Sequence, residues 1–347
     1  MNKTRKLTEA SLLTAIFIVV TIISVGSGIG YGFYLDYLVP VFYLLIYLRC
    51  GWKYSIISGI SGVTIIMFVL GNAGTAVWAS QGIMLGIMCG FLMDRDSSPL
   101  DDMMIGTMIA AVIMVFIDVY ASQLIGFSFI KDFREASLKA VEFMSRNMGN
   151  MQNMSPEFMK YYADFMFYVC ASLLPLGTVI VVYIIGLLGG HRLRMLSKNA
   201  KKKYIIIRNF KITSGLAFCS GKVFYLTLLY VVVFGGLKRF GIETGVVYID
   251  VILNCFYYIG VYFMLREAIS GIQSYLIIRG KKTFTVKAFT ILYLVLILMM
   301  FQIAIPIAIM FFVYIDIAFK LRMKLTERLN AVIADKESEL MQKYMKK

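Results

Sequence analysis

The feature that most restricts this chain is its long runs without charge. From Ala10 to Leu35 no Asp, Glu, Lys or Arg occurs, and about 20 consecutive apolar residues suffice for a helix to cross a bilayer. Comparable apolar runs fall near 9–29, 34–50, 54–71, 76–93, 103–125, 160–188, 216–236, 244–265, 285–301 and 303–319. The composition agrees: 60% of the residues are hydrophobic and 16% charged, where soluble domains carry about 25% charge. The runs predict an all-α, polytopic helical membrane protein with about ten transmembrane spans. The last two runs flank Pro306 in "MMFQIAIP". A tight hairpin there gives ten spans and one broken long span gives nine, since proline removes a helical donor and bends or ends the helix.

The stretch "SVGSGIGYGFYLD" places glycine at 26, 28, 30 and 32, which raises the question of a phosphate-cradling loop. The G-x-G-x-x-G spacing fails, because after Gly28 and Gly30 the third glycine falls on Phe33, and no G-K-[ST] follows. The stretch reads instead as the turn that closes a first span. The opening "MNKTRK" and its apolar sequel resemble a signal peptide, but the apolar core is long for one, so an uncleaved span is expected. Cys50, Cys89, Cys170, Cys219 and Cys255 lie scattered in apolar runs with no metal spacing, and read as small buried hydrophobes. His191 is the only histidine, which argues against a histidine metal site or a Ser/His/Asp triad. No cofactor and no enzymatic activity are expected.

A net charge of +15 reads here as loops facing anionic lipid rather than as a nucleic-acid surface. With the N-terminus inside, all but seven of the 35 Lys and Arg fall on the inner side, the exceptions being Lys131, Arg134, Lys139, Arg146, Lys160, Lys238 and Arg239. That bias predicts both termini in the cytoplasm and favours the hairpin at Pro306. The inner connection "HRLRMLSKNAKKKYIIIRNFK" separates six spans from four. The expected organisation is a six-span module over 1–190, a basic cytoplasmic linker over 191–215, a four-span module over 216–319 and a basic amphipathic tail over 320–347. In the tail Leu321, Leu325, Leu329 and Ile333 recur every four residues, predicting a helix that lies on the inner membrane surface or packs on a partner helix. In the outer connection, about 126–160, "FIKDFREASLKAVEFM" is amphipathic, with Ile130, Phe133, Val141 and Met144 near one face. "SPEF" from Ser155 has the form of a helix start.

Polar groups inside spans are costly and are therefore candidates for function. Under the topology above, Asp36, Asn72, Trp78, Gln81, Asp118, Tyr120, Gln123 and Asp164 fall at one outer depth, together with the glycine-rich turn. Such a cluster suits a small polar ligand taken from outside: Asp36, Gln81, Asp118 and Asp164 would orient it, while Trp78, Tyr120, Tyr31 and Tyr34 would supply stacking area. A blander reading treats Asn72, Trp78 and Gln81 as markers of the water interface. Asp118 sits inside "AAVIMVFIDVYASQLIG", and is either a ligand-binding group or one half of a structural hydrogen-bonded pair. Lys222 and Asp250 read as interfacial, at opposite ends of neighbouring spans. Met144, Met148, Met151 and Met154 could hold Cu(I), although Met is more often apolar filler. In the first span Ala10 with Thr14, and Ser11 with Ala15, form small-xxx-small pairs that let another helix approach, whether from the same chain or from a partner.

The N-terminal "KTRKLTEASLLTAIFIVV", the six-span first module and the overall length resemble the YybS-like family of bacterial membrane proteins. That family is itself distantly similar to the substrate-binding S subunits of energy-coupling factor (ECF) transporters. The resemblance implies a six-helix, S-subunit-like first module in a bacterial cell membrane, a small vitamin-like ligand at the outer face, and docking of the first helix on a transmembrane coupling subunit driven by ATPases. The docking positions would be Ala10 and Thr14, with Ser11 and Ala15 beside them. Two functions are therefore expected in competition: the substrate-binding component of a small-molecule uptake system, or a non-transporting scaffold that recruits partners through its basic cytoplasmic segments.

Overall fold

The computed structural model describes residues 3–28, 34–126, 128–147, 155–240, 244–280 and 283–345. Among them every regular element is helical. In chain order these are α1 (Lys3–Ser27), a π-helical turn (Tyr34–Leu38), α2 (Val39–Cys50), α3 (Trp52–Leu70), α4 (Ala73–Asp94), α5 (Pro99–Ile125), α6 (Phe129–Asn147) and α7 (Pro156–Arg192). Then follow α8 (Lys198–Arg208), the single turn α9 (Phe210–Thr213), α10 (Gly221–Arg239), α11 (Val247–Ile278), α12 (Thr283–Phe319) and α13 (Leu321–Met345). Among the described residues seven helices are long and apolar enough to cross a membrane: α1, α3, α4, α5, α7, α10 and α11. An eighth results if the 75° bent pair Ile303–Phe319 and Leu321–Ser338 counts as one.

The ten apolar runs thus do not become ten separate long helices. Run 34–50 folds as the π-helical turn and the 12-residue α2. The two runs around Pro306 share α12, whose helical course continues through the proline without a separate turn. It is not straight, however. The Tyr293 hydroxyl donates to the Ala304 carbonyl at 2.5 Å. Eleven residues of straight helix would span about 16 Å, more than a tyrosyl side chain bridges, so the chain bends sharply between them. Pro306 contributes, since its missing N–H leaves the carbonyl four residues back without a helical donor.

The chain divides into two compact units. Unit 1 comprises 1–94, 105–197 and 241–259; unit 2 comprises 95–104, 198–240 and 260–347. In unit 1 the short helix α2 is central, packing on α1, α3, α4 and α7. It buries Val39, Pro40, Tyr43, Leu44, Ile46, Tyr47 and Cys50. Glycine on α4 permits the approach. A Cβ on Gly86 would stand 2.2 Å from the Pro40 carbonyl oxygen, and one on Gly90 would stand 2.6 Å from the Tyr47 ring. Main chain therefore packs on main chain. The Tyr43 hydroxyl donates to the Ser58 carbonyl at 3.2 Å, and Arg49 at the end of α2 pairs with Glu9 of α1 at 2.6 Å. The amphipathic helix α6 lies on α7, with Ile130 and Val141 buried and Phe133 against Phe167 at 5.7 Å. The helix start at Ser155 is present: its Oγ accepts from the Phe158 N–H, and Pro156 leads α7.

Unit 2 has its own core of Phe218, Phe224, Met264, Ala268, Ile272, Ala308, Ile309, Phe312, Ile315, Leu321 and Leu325. The tail helix α13 turns its leucine stripe into this unit. Leu321 and Leu325 join that core, and Leu329 packs with Ile206 and Ala217. The apolar face expected to meet a membrane surface or a partner helix is thus covered by the chain's own α8 and the segment before α10.

Replacing Gly86 with alanine should destabilise the full chain in detergent by the ~1–3 kcal/mol typical of overpacking, read as a lowered unfolding midpoint. Gly177→Ala is the control: no atom lies within 4 Å of its added methyl, so the midpoint should be unchanged or slightly higher.

Candidate functional site

The register of α2 against α4 decides which of the expected polar residues meet. Gly86 faces Pro40 and Leu44, and Gly90 faces Tyr47, so the two helices run in the same direction. One turn earlier on α4, Gln81 comes level with the π-helical turn that precedes α2, and that turn packs on α4 and α7. The turn carries Asp36, which is exposed. Single-turn π-helical segments are frequent at functional sites. Trp78 lies three residues before Gln81, on the same helical face, and packs against the unit 1 core that contains Ala79 and Ile83.

Gln81 is the unusual member. Its Oε1 is buried and has no hydrogen-bond partner among the described residues. A buried amide oxygen left without a donor costs about 1–3 kcal/mol, so a donor arriving from a ligand would be favoured. Asp36, Trp78 and Gln81 thus form one candidate site at the α2–α4 seam.

The other expected site residues have partners within the chain. Asp118 is 1% exposed. One carboxylate oxygen accepts from the Ser128 hydroxyl at 2.7 Å and the other from the Ile130 N–H at 3.3 Å. Ser128 in turn accepts from the Lys131 N–H at 3.3 Å, so Asp118 and Ser128 jointly cap α6. Asp164 pairs with Arg134 at 2.9 Å and ties α6 to α7. Tyr120 is exposed and stacks on Phe116 at 6.2 Å. Asn72 accepts from the Thr75 N–H at 3.2 Å at the start of α4, and Gln123 is exposed. Asp250 accepts from the Thr244 hydroxyl at 2.7 Å and from its N–H. Lys222 is exposed.

On α1 the two small pairs separate. Ala10 and Thr14 are buried, with the Thr14 hydroxyl donating to the Ala10 carbonyl at 2.8 Å. Ser11 and Ala15 face outward. Tyr31, the turn over 29–33, and Met148, Met151 and Met154 lie outside the described residues, as does the side chain of Tyr34; Met144 is exposed.

A second polar cluster, in unit 2, was not anticipated. Between α9 and α10 the chain leaves helical geometry, and side chains hold its main chain. The Arg266 guanidinium donates to the Ala217 and Ser214 carbonyls at 2.7 and 2.9 Å, and Ser274 to the Gly215 carbonyl at 2.6 Å. The Ser220 N–H donates to Asp101 at 2.8 Å. The Cys219 N–H donates to Glu267, and the Cys219 carbonyl accepts from Arg322. Arg322 also pairs with Glu267 at 3.0 Å and Asp316 at 3.2 Å, under the ring of Phe224 at 4.3 Å. Beside them Lys203, 3% exposed in its side chain, pairs with Asp102 at 2.6 Å.

These groups anchor a loop and enclose Cys219, which is 2% exposed. Asp316, alone in "FFVYIDIAF", carried the same sequence signal as Asp118. Glu267 beside Arg266 at the end of an apolar run was a weaker one.

The fold and these clusters define an integral, multi-pass helical membrane protein. No protein-family model, curated protein or solved structure matches the chain.

Arg322→Ala should destabilise the protein by about 3–5 kcal/mol, the range for removing one partner of a buried pair. Glu327→Ala, exposed on the same helix, should change the unfolding midpoint little.

Proposed function

We propose that this chain is a non-enzymatic membrane protein that binds a small polar, vitamin-like solute as the substrate-binding component of an uptake system. The observation that supports the reading is the Oε1 of Gln81, buried and without a hydrogen-bond partner among the described residues, on the helix that packs against the π-helical turn carrying Asp36. An acceptor pair of this kind suits a ligand with hydroxyl, amide or amine donors, and Trp78 offers it an aromatic face. The protein sits in a bacterial cell membrane with both termini cytoplasmic, as the Lys/Arg bias indicates. In this reading α2 and the two arms of α12 complete ten crossings, and the first six resemble an S subunit. The outward pair Ser11 and Ala15 is then the face left for a transmembrane coupling subunit with its ATPases, since Ala10 and Thr14 pack internally.

A second reading has its own support. The leucine stripe of α13 is covered within unit 2, which leaves Lys320, Lys324 and Arg328 exposed. A basic surface held in this way suits a scaffold that recruits acidic cytoplasmic partners without transport. Crosslinking in intact membranes separates the two: ATPase subunits as the captured partners support uptake, and other cytoplasmic proteins support the scaffold.

The binding reading is tested by thermal unfolding of the purified full chain against a broad panel of vitamins, amines and nucleosides. At least one compound should raise the midpoint, and Gln81→Leu should weaken it by about tenfold or more, the effect of about 1.4 kcal/mol for one lost hydrogen bond. A panel without any stabilising compound overturns the reading. The orientation is tested in a background without the native cysteines. Lys139→Cys should react with an impermeant thiol reagent in intact cells, and Lys336→Cys only after the cells are opened.

A further inference from the structure

Unit 2 carries a groove of about 710 Å³ between α9, the C-terminal half of α11 and the start of α12. Its charge is one-sided. Among the described residues Lys211, Arg266 and Lys287 line it, and no Asp or Glu does. None of the three forms an ion pair among the described residues, whereas Arg322 and Lys203 of the same unit are matched by carboxylates. The Arg266 guanidinium is fixed by the Ser214 and Ala217 carbonyls, so its charge is presented by a rigid group. Lys211 and Lys287 are exposed and free to close on an anion. Gln273, also in the lining, donates to the Thr290 hydroxyl at 2.8 Å, an arrangement that holds its amide in place.

The rest of the wall is apolar. Ile212, Tyr262 and Ile277 line the groove and are 56%, 44% and 53% exposed. A free phosphate would use the cations and leave these side chains bare. A zwitterionic lipid would use the apolar wall and bring its own cation against three others. A molecule with an anionic head and an acyl chain matches both parts, and basic pockets between membrane helices bind such headgroups.

We propose that this groove binds one anionic phospholipid of the surrounding bilayer, its phosphate among Lys211, Arg266 and Lys287 and its acyl chains along Ile212, Tyr262 and Ile277. The site is separate from the Gln81 seam, and its occupation does not depend on solute binding there.

The test uses the full chain in detergent, titrated with palmitoyl-oleoyl phosphatidylglycerol, palmitoyl-oleoyl phosphatidylcholine or inorganic phosphate, with thermal unfolding as the readout. Phosphatidylglycerol should raise the midpoint saturably, and the other two should not. Lys211→Ala and Lys287→Ala should each weaken that response about fivefold, the effect of one Lys near a membrane surface. Both residues are exposed, so the variants should unfold at the unmodified midpoint without lipid; the exposed Lys201→Ala is a control that should bind normally. Equal stabilisation by phosphatidylcholine overturns the proposal, as does a response to phosphate alone. An unchanged phosphatidylglycerol affinity in the double variant also overturns it.

Discussion

Main-chain hydrogen bonding in an apolar setting is the constraint on which this structure rests. Within a helix the main chain supplies its own partners; wherever the chain leaves a helix, the protein must supply them, because bilayer lipid cannot. The segment before α10 shows the consequence. Its carbonyls and N–H groups are met by Arg266, Ser270, Ser274, Arg322, Glu267 and Asp101. Four of those side chains carry charge, and buried charge needs counter-charge: Arg322 lies between Glu267 and Asp316. The buried network of unit 2 follows from one stretch of non-helical backbone.

Unit 1 meets the same constraint by a different route. Asp118 and Ser128 cap α6, and Asn72 caps the start of α4. These are polar residues that serve the main chain. Gln81 stands apart because its Oε1 has no such role among the described residues. Among the described residues of this unit, its amide oxygen is the buried side-chain acceptor left without a donor.

Much of the architecture was legible from local chemistry. The apolar runs located the membrane-competent helices and "SPEF" marked the start of α7; of the face expected on α6, Ile130 and Val141 are buried and Phe133 half-buried, while Met144 is exposed. The small-residue spacing on α1 identified a packing face at Ala10 and Thr14. A further local signal went unused: Gly82, Gly86 and Gly90 recur every four residues on α4, the pattern that brings helices close, and all three are buried. Of the expected site residues, Asp118 and Asp164 are bonded within the chain and Tyr120 stacks on Phe116, while Gln81 keeps a buried acceptor without a partner among the described residues. Burial and polarity alone could not separate the two groups, because a capping aspartate and a ligand-binding aspartate look the same in one dimension.

By itself the sequence determined the class of the protein, because uncharged runs of that length have no stable alternative to helices in a bilayer or a very large apolar core. It also set where the chain could change direction, through glycine, proline and charged turns. Tertiary structure alone decided which polar groups are paired. Lys203 reads as one of eight basic residues in a linker until Asp102 is brought beside it, and Arg322 reads as part of a basic tail until Glu267 and Asp316 enclose it. The physical reason is that hydrogen bonds and ion pairs act over about 3 Å between residues a hundred positions apart, whereas a sequence reports hydropathy position by position.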